Sequence, residues 1–134
     1  MTYQQALENI HSLDAFGSRP GLDRIKKFLD ILGNPQDKLK FVHVAGTNGK
    51  GSTSALISSV LTEAGYKTGL FISPYITDFC ERIQINGKNI DHNLLSDTVE
   101  KTFPILQDLQ KEGTVITEFE YVMALSFCIY SQEK

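Results

Sequence analysis

The sequence contains no tryptophan, only two cysteines and four prolines, and no excess of positive charge. Thirteen Lys and Arg residues against sixteen Asp and Glu residues give a net charge of −3. Proteins that bind nucleic-acid backbones or anionic membranes need a basic surface, so the charge favours neither class. Cys80 and Cys128 have no CxxC partner, which predicts two reduced structural thiols rather than a disulfide framework.

Long apolar runs are also missing. No segment reaches the ~18 consecutive apolar residues of a membrane span, and no basic region precedes an apolar stretch at the N-terminus. We therefore expect a cytoplasmic protein with no membrane partner and no nucleic-acid partner. What is present is the composition of a soluble globular chain: 134 residues, 41% hydrophobic and 22% charged, which is enough for one core.

The hydrophobic pattern predicts an α/β chain. Apolar residues at helical spacing predict two opening helices, over residues 3–13 and 22–32, and a buried strand follows at residues 41–45. A helical stripe over residues 51–64 and a strand at 68–72 complete a unit that pairs its strands in parallel through a right-handed crossover. The predicted fold class is therefore α/β, with a P-loop-type, mostly parallel sheet flanked by helices.

The second half of the chain adds a hairpin and two helices. Asn86-Gly87 tolerates the positive φ angles of a type I′ turn and predicts a small hairpin over residues 82–90, outside the main sheet. Helical patterns follow over residues 91–109, where Pro104 is expected to kink or split the helix, and from Thr117 to the last residue. Nothing in the pattern divides the chain into two domains, and a helix without a stop signal predicts a fragment of a longer protein.

The strongest chemical signal is a glycine-rich loop between the first predicted strand and the helix after it. Glycines let several N–H groups and the positive end of the helix converge on phosphate oxygens, and Lys50 adds a full positive charge. The loop departs from the GxxxxGK[ST] pattern, because Val44 replaces the first glycine and Gly51 follows the lysine. We predict a phosphate site with Lys50 in the catalytic role. The predicted nucleotide-binding residues are Gly46, Thr47, Asn48, Gly49, Lys50, Gly51, Ser52 and Thr53.

The loop carries a resemblance to a known family. Residues 46–50 resemble the nucleotide loop of the Mur ligase superfamily, and Gly51-Ser52 resembles its folate branch, the folylpolyglutamate and dihydrofolate synthases. Further stretches fit this branch in order along the chain: Pro20-Gly21-Leu22-Asp23-Arg24-Ile25 with Leu32-Gly33-Asn34-Pro35-Gln36, Ser73-Pro74-Tyr75 with Glu81-Arg82-Ile83, and Thr117-Glu118-Phe119-Glu120. The resemblance implies that residues 1–134 are the N-terminal portion of an ATP-binding ligase domain, with the second domain absent.

The resemblance also implies a metal site. By the family pattern Ser73 lends its hydroxyl to Mg2+, a hard cation that takes oxygen ligands, and Glu120 is the metal-binding glutamate. From the residues alone, two other interpretations stay open. Ser73 ends a predicted strand, and Thr117 with Glu120 matches a capping box that satisfies the amides of its own helix.

The activity implied by the resemblance is amide-bond formation. An ATP-dependent ligase of this type joins L-glutamate to the carboxylate of a folate or of dihydropteroate through an acyl phosphate. ATP and Mg2+ are the implied cofactors, a monomer is expected, and the candidate substrate contacts are Gly21, Tyr75 and, more weakly, Arg82. A glycine loop, a lysine and metal-bound oxygens are suitable parts, because phosphoryl transfer depends on positioning and charge neutralisation.

Two alternatives stay open. A Mur-type ligase for a cell-wall precursor shares the loop but places Ser or Thr directly after its lysine, and Gly51 argues against it. A noncatalytic nucleotide-binding module is the other alternative, because no residue matches the family's downstream metal-binding histidine, modified lysine or second domain. For the same reason we expect the 134 residues alone to bind nucleotide weakly and not to catalyse.

Overall fold

The computed structural model describes residues 1–17, 19–73 and 77–133. These residues form two compact units, a helical unit of Met1–Leu39 with His92–Glu133 and a glycine-loop unit of Lys40–Asp91. In chain order the elements are α1 (Tyr3–His11), α2 (Asp23–Ile31), α3 (Lys50–Glu63), β1 (Gly69–Phe71), β2 (Ile83–Ile85), β3 (Lys88–Asn89), α4 (His92–Lys111) and α5 (Glu118–Gln132). Within the described ranges, no helix combines the length and the apolar character needed to cross a bilayer.

The helical unit packs α1, α2, α4 and α5 around one apolar core. Tyr121 of α5 is fully buried there, with its ring centroid 6.0 Å from that of Phe28 and 5.7 Å from that of Phe103. Each fully buried side chain of this size stabilises the fold by about 1.5–3 kcal/mol relative to an exposed one. The aliphatic side chains in this core with exposures of 0–1% include Ala6, Ile10, Leu13, Leu95, Val99, Leu106, Leu125 and Ile129.

The four helices of this unit agree with the sequence pattern, with one difference at Pro104. We expected Pro104 to kink or split its helix, and α4 instead continues through it from His92 to Lys111. Proline removes one backbone donor, whereas Val99, Phe103 and Leu106 of α4 are buried against the core. Packing of an apolar helix face contributes more to helix stability than one lost hydrogen bond, so the helix persists.

The glycine-loop unit combines α3 with a three-stranded sheet. The strand order is β1-β2-β3 and both pairings are antiparallel, with Gly69 opposite Ile85 and Phe71 opposite Ile83. Asn86 and Gly87 connect β2 to β3 with φ angles of 52° and 81°, which confirms the predicted turn. The expectation that this hairpin lies outside the sheet of the preceding strand is wrong, because β2 is the partner of β1.

The predicted strand at residues 41–45 is also wrong, although the mixed α/β class is confirmed. Residues 41–45 form no strand and no parallel pair with β1. A strand needs a hydrogen-bonded neighbour, and among the residues that the structure describes β1 is paired with β2 alone. Phe41 and Val42 are 59% and 67% exposed, so the burial that their apolar character predicted is not found among the described residues.

Candidate functional site

The glycine-rich loop leads directly into the N-terminus of α3. Gly49 is the N-cap residue, with φ 74° and ψ 8°, and α3 begins at Lys50. The left-handed φ of Gly49 is readily adopted only by residues such as glycine. The N–H of Thr53 donates to the carbonyl of Gly49 at 2.9 Å, which is the first hydrogen bond of the helix.

The end of α3 is available to an anion. The N–H groups of residues 50–52 precede that first helical bond, and the N-cap residue Gly49 has no side chain to cap them. Residues 46–53 are all exposed, and the first turn of α3 contains no acidic side chain. The helix end contributes roughly half a unit of positive charge, to which Lys50 adds its own. This arrangement can accept phosphate oxygens.

Gly51, unlike Gly49, is not required by the backbone conformation. A Cβ atom built on Gly51 meets no atom within 4 Å, and the residue lies in the first turn of α3 with an ordinary helical φ. Packing within the described residues therefore does not require glycine here. The space beside Gly51 is open in this structure.

Glu120 lies in the first turn of α5 and is 8% exposed. Its Oε1 accepts hydrogen bonds from the N–H of Thr117 at 3.0 Å and from the Thr117 hydroxyl at 3.1 Å, while the N–H of Glu120 donates to that hydroxyl at 3.3 Å. The capping box expected from the sequence is therefore formed. The second oxygen, Oε2, accepts from Nη2 of Arg24 at 3.3 Å.

The predicted metal ligands fit a hard cation in their chemistry. Glu120 is a nearly buried carboxylate whose Oε2 has one long hydrogen bond, and a carboxylate oxygen has room for a further interaction. Ser73 is exposed, lies two residues beyond the end of β1 and offers a hydroxyl oxygen. Mg2+ prefers such oxygen ligands. Glu120 belongs to the helical unit and Ser73 to the glycine-loop unit.

The three candidate substrate contacts differ in their surroundings. Gly21 is exposed in a turn before α2, with φ 99°. Arg82 is only 8% exposed, and its guanidinium carbon lies 5.9 Å from the ring centroid of Phe71 and 5.4 Å from that of Phe79. Cation–π contacts on two rings favour a fixed position for this side chain. Tyr75 lies outside the described residues.

Two features of these surroundings were missed in the sequence. Arg24 lies 96 positions from Glu120, and no local pattern connects them. Asp78 and Glu81 form another capping box at the 3₁₀ turn Phe79–Arg82, where the Glu81 Oε2 accepts from the N–H of Asp78 at 2.8 Å. The spacing of an aspartate and a glutamate three residues later is the signal that could have predicted it.

Comparison with known proteins relates this chain to one group of enzymes. It is 45% identical over 131 residues to a dihydrofolate synthase/folylpolyglutamate synthase of Bacillus subtilis, covering 97% of this chain and 30% of that protein. It matches the structure of a folylpolyglutamate synthetase from Lactobacillus casei with a TM-score of 0.92 and 36% identity, over 99% of this chain and 34% of that one.

A ligand complex is also among the similar structures. A complex of folylpolyglutamate synthase with AMPPCP and folate matches with a TM-score of 0.89 and 36% identity, over 99% of this chain and 33% of that one. The chain spans about a third of the length of these relatives. No protein-family model matches the chain.

Proposed function

We propose that this chain, a homologue of the N-terminal part of folylpolyglutamate and dihydrofolate synthases, forms the nucleotide-binding part of an ATP-dependent ligase. The ligase would join the amine of L-glutamate to the carboxylate of a folate or of dihydropteroate. The observation that carries this proposal is the exposed N-terminus of α3 with Lys50, in a chain similar to an enzyme that binds AMPPCP and folate.

The reaction proceeds in two steps. The carboxylate attacks the γ-phosphorus of ATP, so that a carboxylate–phosphorus bond forms, the bond to ADP breaks and an acyl phosphate results. The amine of glutamate then attacks the acyl carbon, inorganic phosphate leaves and the amine loses a proton. No protein nucleophile takes part in either step, so binding, orientation and charge are the tasks of the protein.

The glycine loop and Lys50 perform the phosphate-binding task. The N–H groups of residues 50–52 lack helical acceptors and would donate to phosphate oxygens. The positive charge of Lys50 would neutralise charge that moves onto the phosphate oxygens during transfer. Gly46, Thr47, Asn48, Ser52 and Thr53 complete the proposed nucleotide loop.

Ser73 and Glu120 are the proposed ligands of Mg2+. When bound, the cation supplies positive charge to the phosphates of the nucleotide. Thr117 already holds Oε1 of Glu120 through two hydrogen bonds, so the carboxylate is oriented before any ligand arrives, and Oε2 is the oxygen with remaining capacity. An oriented ligand loses little conformational entropy on binding.

The proposed pterin contacts are Gly21, Tyr75 and Arg82. Gly21 is supported by its exposed turn, which leaves the backbone accessible to a flat ring. Arg82 stays the weaker candidate because it is mostly buried between two aromatic rings. Tyr75 rests on the family resemblance alone. We further propose a monomer in which residues 1–134 need the remainder of the ligase for catalysis.

A product assay on the complete gene product tests the proposal. The purified protein receives Mg-ATP, L-glutamate and, in separate reactions, dihydropteroate, a reduced folate or a cell-wall precursor, and products are identified by mass spectrometry. Lys50→Ala is compared with Lys88→Ala, a control that removes an exposed lysine from β3 of the same unit. We expect glutamyl addition to a pterin substrate, lost in Lys50→Ala and retained in Lys88→Ala.

Each other outcome selects a different function. Addition to the cell-wall precursor alone identifies a Mur-type ligase and contradicts the argument from Gly51. Nucleotide binding without any adduct identifies a noncatalytic nucleotide-binding module. Equal activity of Lys50→Ala and Lys88→Ala removes the proposed role of the loop lysine.

A further inference from the structure

The geometry points to Arg24 as a positioning residue. Its guanidinium stays hydrogen-bonded to Glu120 until a divalent cation displaces it. This displacement links cation binding to the turn before α2. This inference rests on the proposed function, because it takes Glu120 as a cation ligand. It concerns only the helical unit, to which Arg24, the turn and Glu120 all belong.

Arg24 bonds to two parts of the helical unit at once. Its Nη2 donates to Oε2 of Glu120 at 3.3 Å and to the carbonyl of Arg19 at 2.9 Å. Its Nη1 donates to the carbonyl of Pro20 at 3.1 Å. The guanidinium therefore closes the turn of residues 19–23 and holds it beside the first turn of α5.

The bond to Glu120 is the longest of the three. Charge-assisted N–H···O bonds are typically about 2.7–2.9 Å long, and the contact to Glu120 is longer, at 3.3 Å. The Nε of Arg24 is buried and has no hydrogen-bond partner among the described residues. A guanidinium with an unsatisfied buried donor gains from a change of position, because that donor can then meet a partner.

A cation and Arg24 compete at Oε2 of Glu120 through charge rather than space, because the oxygen has a lone pair for each of them. Thr117 already engages Oε1 of Glu120, so a cation ligand bond falls to Oε2, where the Arg24 guanidinium lies. Two positive charges at one carboxylate oxygen repel each other, and in a nearly buried site water screens this repulsion weakly. Cation binding therefore moves Arg24 away from Glu120.

Displacement of Arg24 reaches the turn that contains Gly21. The same Nη2 that leaves Glu120 also bonds Arg19, so a shift of the guanidinium weakens the bond to that carbonyl. Gly21 has φ 99°, and the carbonyl of its neighbour Pro20 accepts the other hydrogen bond from Arg24. Because coupling between two sites is reciprocal, a ligand that favours the released turn also tightens cation binding.

Manganese binding to the complete gene product tests this competition. Free Mn2+ is counted by electron paramagnetic resonance in nucleotide-free protein, for the wild type, Arg24→Gln, Glu120→Gln and the double variant. Lys27→Gln is the matched control, because it removes one positive charge from the same helix where Lys27 lies 3.9 Å from Glu112 at the surface. Circular dichroism verifies that each variant is folded.

The expected result is a specific pattern of affinities. Arg24→Gln tightens Mn2+ binding about three- to tenfold, because the competing charge is gone. Lys27→Gln stays within about twofold of the wild type, since exposed pairs contribute little. Glu120→Gln weakens binding, and adding Arg24→Gln to it gives no tightening, because the two residues act through one oxygen.

Hydrogen exchange provides a second measurement that does not depend on affinity. In the wild type, Mn2+ is expected to increase exchange of the amides of Arg19 and of residues 21–23. If Arg24→Gln does not fold, Arg24→Lys replaces it. Lysine lacks the planar fork with which Arg24 reaches two carbonyls and a carboxylate, so this variant exchanges faster without Mn2+ and shows no further increase with it.

The possible failures are distinguishable. If Glu120→Gln weakens Mn2+ binding but Arg24→Gln leaves it unchanged or weakens it, the competition is wrong and the proposed metal role stands. If Glu120→Gln leaves Mn2+ binding unchanged, the metal role itself is wrong, and the present inference is overturned with it.

Discussion

The two units of the chain differ in how completely they bury their apolar side chains. In the helical unit, Phe28 and Leu106 are 0% exposed. In the glycine-loop unit, Phe41 is 59% exposed, and Leu56 and Val60 of α3 are 68% and 67% exposed. Helix α3 follows the apolar pattern expected of a core helix, yet Ser58 is the one side chain of α3 that is buried.

This difference indicates that the helical unit provides most of the stability, whereas the glycine-loop unit provides the ligand-binding donors. Most of the buried apolar side chains belong to the helical unit, whereas those of the glycine-loop unit are Phe79, Cys80, Ile83 and Ile90 among the described residues. The glycine-loop unit instead presents exposed backbone donors at the start of α3. A ligand that binds the folded state there adds stability in proportion to its concentration and affinity, so we expect nucleotide to stabilise this unit more than the helical unit.

The largest expected effect on the free energy of unfolding comes from one of two matched leucine-to-alanine substitutions. Leu106→Ala removes a side chain that is 0% exposed in the helical unit, and Leu56→Ala removes one that is 68% exposed on α3. We expect a loss of about 2–5 kcal/mol in the free energy of unfolding for Leu106→Ala and at most about 0.5 kcal/mol for Leu56→Ala. Urea unfolding of the two variants and the wild type, followed by circular dichroism, measures both.

The same two substitutions are also measured in the complete gene product. If Leu56→Ala there costs as much as Leu106→Ala, residues outside the 134 cover the apolar face of α3, and the contrast between the units holds only for the described residues. A small cost in both contexts shows that this face stays in solvent.

Local patterns predicted much of the fold. The four helices of the helical unit follow apolar spacing, and the Thr117–Glu120 capping box and the Asn86-Gly87 turn follow from residue types a few positions apart. The glycine loop at the start of α3 belongs to the same class, because loop and helix are adjacent in the chain. These features depend on interactions within one turn or two, which the sequence records directly.

Features that depend on distant partners could not be predicted. The β-type pattern of residues 41–45 indicates burial but does not identify the neighbour that would bury them, and in the structure these residues form no strand. The Arg24–Glu120 pair joins residues 96 positions apart, and Tyr3 stacks on His92 with ring centroids 3.7 Å apart. Such contacts follow from how helices pack, and apolar periodicity does not specify which polar side chains meet.

An intermediate effect is expected at Gly51, where one substitution should leave the fold intact and weaken nucleotide binding. Gly51→Ala places a methyl group where no atom lies within 4 Å and raises helix propensity by up to about 1 kcal/mol, so the fold is retained. Under the proposed function the methyl group would occupy space that a bound phosphate needs, so we expect nucleotide affinity to fall about tenfold. Titration with a fluorescent ATP analogue and thermal unfolding measure the two effects separately.

Ser59→Ala is the matched control for Gly51→Ala. Ser59 is exposed later in α3, so its replacement changes helix propensity without touching the loop, and nucleotide affinity is expected to stay at the wild-type value. Equal affinity of Gly51→Ala and Ser59→Ala would show that the phosphates do not approach the backbone at Gly51.

The smallest expected effect is a pH-dependent one in the helical core. Burial raises the pKa of the Tyr121 hydroxyl well above its ordinary value. The Thr102 hydroxyl donates to the carbonyl of Thr98 at 2.8 Å, so the Tyr121 hydroxyl is the donor in its 2.8 Å bond to Thr102. Tyr121→Phe removes this bond at a cost of about 1 kcal/mol at neutral pH.

The raised pKa determines the sign of the pH effect. The unfolded chain releases the tyrosine proton above its ordinary pKa of about 10, whereas the folded protein retains it, so this contribution to stability is complete below that pH and is lost above it. The stability difference between the wild type and Tyr121→Phe should therefore narrow between about pH 7 and about pH 10.5. Tyr66→Phe, at a side chain 65% exposed, is the matched control for the loss of a tyrosine hydroxyl. Urea unfolding at both pH values measures the difference for Tyr121→Phe. A difference that stays constant would mean that the Tyr121 hydroxyl ionises as readily in the folded protein as in the unfolded chain. Water would then reach the helical core more easily than the burial of Tyr121 indicates.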